Sequence, residues 1–137
     1  GGSGVEWYFG SKFPHMDINC EDWRSRERMW DQTRYALEFF RQHLPFWEMA
    51  PANSLATGKQ ARVLARPGEV YAVYLPQGGP VSLSLPAGAY EVAWYNPRAG
   101  GPLIPGNPPV VSGGGRVSLG APPADAGRDW AVFMRRR

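Results

Sequence analysis

The chain has a single cysteine, Cys20, among its 137 residues, which excludes an internal disulfide. It has no apolar run near the ~20 residues that a membrane-crossing helix needs, and no charged-then-apolar leader opens it. The excess of positive charge is also small. The net charge is +3, and Arg135, Arg136 and Arg137 supply as much by themselves. The other arginines are interleaved with acids, which is not the basic stripe of a nucleic-acid binder. Only two histidines are present, His15 and His43. Neither belongs to an H-E-x-x-H zinc-protease signature, and no serine sits in a G-x-S-x-G elbow. Cys20 with His15 or His43 would be a nucleophile–base pair, but nothing in the local sequence builds one. A lone cysteine is more often a small buried residue.

What the chain does have is apolar surface. Hydrophobic residues make up 43% and aromatics 13%, with six tryptophans. That is ample for a packed core and argues against disorder. The 17 glycines and 14 prolines fall mainly after residue 50, where they cut the sequence into short runs.

Two rhythms divide the chain. Over residues 19–44, "NCEDWRSRERMWDQTRYALEFFRQHL", the period is helical. Trp23, Trp30, Leu37 and Leu44 recur every seven residues, flanked by Met29, Thr33, Ala36 and Phe40. The opposite face carries Arg24, Glu27, Arg28, Asp31, Arg34, Glu38 and Arg41. Asn19 is placed to accept from an orphan N–H as N-cap, and Glu21 and Asp22 complement the helix dipole. Pro45 ends the run.

From about residue 60 the period becomes two. Strands are predicted at 61–66, 69–76, 81–86, 88–97, 115–122 and 129–135, with an irregular or edge strand at 102–111 because of its prolines. In "VSLSL", Val81, Leu83 and Leu85 share one face; in "GAYEVAWYNP", Tyr90, Val92 and Trp94 do. The fold class read from this is mainly β, an antiparallel β-sandwich preceded by one long α-helix. Residues 46–59 connect the two.

"GVEWYFG", "DINCEDWRSRERMWDQTRYALEFF" and "LPFWEM", followed by "PGEVYAVYLPQGG", "GAYEVAWYNPRAGG" and "DWAVFMR", resemble the C-terminal part of apiosidase-like bacterial proteins. Those proteins join a glycoside-hydrolase-like TIM barrel to a β-sandwich known as the "putative collagen-binding domain of a collagenase". The most specific pieces are "EVYAVYLP" and "WYNPRAGG". The resemblance implies that residues 1–45 are the last strand and helix of a truncated barrel, 46–59 a connector and 60–137 the sandwich. It implies a non-catalytic accessory domain of a secreted or cell-surface bacterial protein. The partners would be the upstream barrel and a polysaccharide or collagen-like polymer, with no nucleic acid and no membrane. The alternative is a purely structural module that braces a glycosidase barrel.

The candidate residues follow from chemistry. Glu6, at the end of an apolar run, fits the rim of a barrel active site. Glycoside hydrolysis needs two flanking carboxylates, and no partner for Glu6 is identifiable, so catalytic residues are not assigned. The loop "HMDINCED" gathers His15, Asp17, Asn19, Cys20, Glu21 and Asp22. It starts like a calcium loop but has Asp22 where glycine is needed and Arg28 where glutamate is needed. Helix capping explains it better, and no metal or cofactor is expected. Trp94 and Tyr95 must point to opposite faces of their strand. An outward Tyr95 with its turn neighbours Asn96 and Arg98 is the candidate binding group. The competing reading packs Tyr95 on the helix or connector.

Overall fold

The computed structural model describes Arg24, residues 27–57 and residues 60–137. The expectations for "GVEWYFG", Glu6, the loop 15–22 and the Asn19 cap lie outside these residues. Helix α1 runs Glu27–His43 and is followed by two short 3-10 turns, Phe46–Glu48 and Asn53–Leu55. Among the described residues there are eight strands: β1 Ala50–Pro51, β2 Arg62–Arg66, β3 Val70–Leu75, β4 Ser82–Leu85, β5 Ala89–Tyr95, β6 Ile104–Ser112, β7 Gly115–Ser118 and β8 Trp130–Arg136. They form a six-stranded sheet in the order β1-β2-β3-β8-β5-β6 and a two-stranded sheet β4-β7. All pairings are antiparallel. The chain is mainly β and sandwich-like, as the period of two predicts.

The large sheet is covered on both faces, and this sets which residues its strands carry. One face meets β4 and β7. Tyr71 and Val73 of β3, Trp130 and Val132 of β8, and Val92 and Trp94 of β5 are buried there. They pack against Val81, Leu83, Leu85 and Leu119. Tyr71 and Tyr90 meet edge to face at 5.9 Å, and Trp94 and Trp130 at 6.2 Å, an arrangement favoured by the ring quadrupole. The other face lies under α1. Val70 and Ala72, Ala131 and Phe133, and Tyr95 are buried against Phe39 and Leu44. Residues that alternate between two covered faces leave no polar positions, so β3 and β8 read as nearly continuous apolar runs. β4 has one covered face and keeps Ser82 and Ser84 half-buried between the buried Val81, Leu83 and Leu85.

The connector joins the sheet. Ala50 and Pro51 pair with Ala65 and Leu64. The Asn53 side-chain carbonyl accepts from the Val63 N–H at 2.7 Å, and Ala56 bridges to Leu83 of the small sheet. The proline-rich stretch is an edge strand, β6, bonded only to β5. That is the position where a missing N–H costs no ladder bond.

α1 docks mainly by a different row from the heptad series, of which only Leu44, just past the helix, is buried among the described residues. Phe39 and Leu44 are buried, whereas Trp30, Leu37 and Phe40 remain exposed. The helix has two neighbouring apolar rows, and the one led by Tyr35, Phe39 and His43 meets the sheet. The turn after β5 fixes this choice from below. Gly100 has φ +67, and a Cβ there would lie 2.4 Å from the Tyr35 ring.

Candidate functional site

Between α1 and the outer face of the large sheet lies a cleft of about 710 Å³. Its origin is a mismatch of side-chain size. Phe39 and Tyr95 stack at 4.8 Å and hold the helix away from the sheet. Beside them the facing residues are Ala36 on the helix and Ala72 and Ala131 on β3 and β8. Three alanines cannot fill the gap that two stacked rings set. The volume falls in the range of small-molecule and peptide clefts.

The rim is polar. Gln32 and Thr33 come from α1, Asn53 from the 3-10 turn, Arg62 from β2, Tyr74 from β3 and Asp129 from the loop before β8. The Tyr74 hydroxyl donates to Asp129 at 3.3 Å, yet 40% of the residue is exposed. Desolvation, then the Asp129 charge, raises the Tyr74 pKa, so the hydroxyl stays protonated.

The three residues singled out on the β5 turn are placed as follows. Tyr95 is only 2% exposed. Strand alternation does put it opposite Trp94, and α1 covers that side, so Tyr95 is not the outward binding group and packs on the helix, as the competing reading has it. Its hydroxyl donates to the Tyr35 carbonyl at 2.8 Å, and burial, ahead of the Glu38 charge, raises its pKa. It contributes to the floor of the cleft. Asn96 caps its own turn, its side-chain oxygen accepting from the Arg98 N–H at 3.0 Å. The Arg98 guanidinium folds over Trp130 at 5.4 Å and pairs with Asp129 at 2.8 Å and Asp125 at 3.6 Å. It also donates to the Asp129 backbone carbonyl. With its side chain 19% exposed, Arg98 closes one end of the cleft rather than reaching into solvent.

Sequence reasoning missed Gln32, Asn53 and Asp129. Tyr74 carried a signal, since the alternation that sends Tyr71, Val73 and Leu75 inward sends it out. Nothing in the pattern marks Ala72 and Ala131 as cleft-forming, because small residues are ordinary in strands covered on both faces. Among the described residues, no three His, Cys, Asp or Glu side chains come together as a metal site. No described helix is long and apolar enough to cross a membrane.

A second exposed feature runs along the side of α1 next to the cleft, which Phe40 also lines. Phe40 meets Phe46 at 6.0 Å, and Phe46 meets Trp47 at 5.2 Å. With Trp30 and Leu37 they form an exposed apolar row, and Trp47 is 71% exposed.

His43 sits where α1 ends, between Phe39 at 5.7 Å and Phe133 at 5.8 Å. Desolvation, then the Arg135 charge, lowers its pKa below the ordinary 6.5. The unfolded chain therefore takes up a proton before the folded one. Stability is fully present above about pH 6.5 and declines as pH falls from there toward the depressed folded value. The thermal midpoint is expected to drop between about pH 7.5 and 5.5, above the range where carboxylates dominate. His43→Gln, in a His15→Gln background, should flatten that slope. An unchanged slope would show that His43 does not titrate against the sheet.

The fold is shared with portions of larger chains. A glycoside hydrolase structure superimposes with a TM-score of 0.66 at 16% identity, over 92% of this chain and 30% of its own. A glycoside hydrolase family 5 structure from Bacteroides vulgatus ATCC 8482 superimposes with a TM-score of 0.69 at 18% identity, over 93% of this chain and 29% of its own. The chain thus spans about 30% of the length of the solved structures it matches. Coverage of 92% leaves roughly 11 residues out, fewer than the 17 of α1, so the likeness takes in the helix as well as the sandwich. Curated proteins give no match. A family model matches residues 51–135, from β1 into β8. Since that is more than half of the chain and contains both sheets, the protein belongs to the family described as the "putative collagen-binding domain of a collagenase".

Proposed function

We propose that this chain is a non-catalytic accessory domain of a secreted bacterial glycoside-hydrolase-like protein, and that it holds a collagen-like or polysaccharide polymer near its parent. The observation that carries this reading is the alanine-floored cleft in a member of a family described as collagen-binding. Catalysis has little support. Among the described residues, Asp129 is the one carboxylate lining the cleft, and it is paired with Arg98. Glycosidases use two flanking carboxylates. In this reading residues 1–45 are the last strand and helix of an upstream barrel, with Glu6 at its rim. Residues 46–59 connect, and 60–137 form the accessory domain.

Co-sedimentation with gelatin and with insoluble polysaccharides tests the reading. Retention with a micromolar-to-millimolar Kd is expected, roughly −4 to −8 kcal/mol. No turnover of an aryl-glycoside or of gelatin is expected. Sustained hydrolysis that Glu6→Gln abolishes would instead make the chain an enzyme.

A second reading, a module that braces the parent barrel, is favoured by the exposed row of Trp30, Leu37, Phe40, Phe46 and Trp47. Contiguous apolar surface of this kind marks interaction sites. In that case the 137-residue chain self-associates in light scattering, and Trp30→Gln with Trp47→Gln restores a monomer. A monodisperse unmodified chain would count against bracing through this face.

A further inference from the structure

We propose that the outer edge of β7 is a strand-addition site for an extended peptide that alternates acidic and apolar residues. The inference goes beyond the polymer-binding reading and does not use the cleft. It starts from a contrast among the sheet edges. An open strand edge invites pairing with another chain, and proteins block such edges with prolines or covering segments. The large sheet is blocked at both sides. β1 is two residues long and ends in Pro51, and behind it the Val63 N–H and C=O are taken by Asn53 and Ala52. β6 carries Pro105, Pro108 and Pro109, which have no N–H to offer. In the small sheet, Ala56 and Thr57 cover β4 along Leu83 and Ser82. The outer edge of β7 has neither device. Its sequence, "GRVS", contains no proline, and among the described residues β7 pairs with β4 alone.

The hydrogen-bond pattern of the small sheet tells which groups are open. In an antiparallel ladder a residue turns both its N–H and its C=O to one neighbour, and the next residue turns both the other way. The Ser82 N–H and C=O both turn to Thr57, away from β7. The Val81 C=O accepts from the Leu119 N–H at 2.9 Å, so Leu83 and Val117, the next bonded pair along the register, face each other. Arg116 and Ser118 therefore direct their N–H and C=O groups outward. They offer two donors and two acceptors at the two-residue repeat of a strand, about 6.8 Å. Another extended backbone matches that repeat. A polyproline II strand, with three residues per turn and no N–H at its prolines, does not.

The side chains set the chemistry of the partner. Arg116 and Ser118 are exposed, while Val117 is half-buried against the core. Arg116 lies opposite Ser84. Among the described residues it has no carboxylate partner, whereas Arg66, Arg98, Arg135 and Arg137 each have one. A residue opposite Arg116 on an added strand has its side chain on the same face, where an opposite charge is favourable. The residues next to it fall on the side of Val117 and extend the apolar face of the small sheet. The partner is thus an acidic–apolar alternating segment of another polypeptide. β7 is four residues long, so the contact is well below the ~1,200 Å² of stable interfaces and the complex is a transient one.

The test is titration of the 137-residue protein with a capped peptide of alternating glutamate and valine, followed by amide NMR. The same peptide with lysine for glutamate is the comparison probe. Shifts centred on residues 115–118 and slowed hydrogen exchange at the Arg116 and Ser118 amides are expected. The glutamate peptide should bind at least about threefold tighter than the lysine peptide. Arg116→Glu changes an exposed side chain and should reverse that preference. Ser118→Pro removes an outward N–H without touching the Leu83–Val117 pair, and should weaken the glutamate peptide at least about tenfold. The charge reversal is readable whether or not the proline variant folds. Shifts centred on the cleft or on the exposed row of α1, no binding, or equal affinity for the two peptides would overturn the proposal. Self-association that Ser118→Pro abolishes would put a second copy on the edge and overturn the choice of partner.

Discussion

Tyr95→Ala is expected to destabilise the protein by about 3 kcal/mol, near the cost of truncating other buried aromatics. The ring is buried between the sheet and Phe39, and its hydroxyl satisfies the Tyr35 carbonyl in the middle of α1. Alanine removes the main spacer and the polar tie together. The loss should appear first as loosening of α1, so helical circular dichroism should melt at lower urea than near-ultraviolet signals from Trp94 and Trp130. Tyr95→Phe keeps the spacer and loses the tie, at a cost of about 1 kcal/mol. A Tyr95→Ala loss below ~1 kcal/mol, with α1 melting together with the sheet, would mean that the helix is held by other contacts.

Trp94→Ala, one residue earlier, should cost more, about 4 kcal/mol, and in a different way. Trp94 points into the space between the two sheets and meets Trp130 edge to face. Its indole N–H has no hydrogen-bond partner, so its contribution is packing alone. The cavity would open in the centre of the sandwich, and all spectroscopic probes should shift together. Small domains have only about 5–15 kcal/mol in total, so the variant should unfold at sharply lower urea. Trp94→Phe keeps most of the ring and should lose less than half as much. If Trp94→Ala and Tyr95→Ala gave the same probe-by-probe profile, the two faces of the sheet would not be separable layers.

This pair also marks how far the sequence could be read. Alternation predicted that Trp94 and Tyr95 face opposite ways, and they do. Period two likewise located β2 to β8, because each turn between them is built from glycine, proline or short polar residues. What covers a face is not a property of its strand. Alternation left Tyr95 either outward or packed on the helix or connector, and nothing local announces that α1 lies above it. The helix had two apolar rows, and its repeat of seven pointed to Trp30, Leu37 and Leu44, whereas docking uses Phe39 and, from that repeat, Leu44 alone among the described residues. The size match that decides between the rows involves Gly100, sixty-five residues from Tyr35. The cleft was invisible for the same reason. It arises from three small residues on three separate elements, and a void leaves no trace in periodicity.

The strand order has a bearing on how the chain is made. β8 follows the other seven strands in sequence, yet it lies between β3 and β5 in the large sheet. Until residues 130–136 leave the ribosome, β2-β3 and β5-β6 are two unjoined ribbons with open hydrogen-bonding edges. About 40 residues separate the end of β5 from the end of β8, so at ~5–20 residues per second the wait is roughly 2–8 s. During that interval the apolar edges of β3 and β5 are open to strands from other chains. Any change that delays or shortens β8 should therefore reduce soluble yield in the cell even where the finished protein would have been stable.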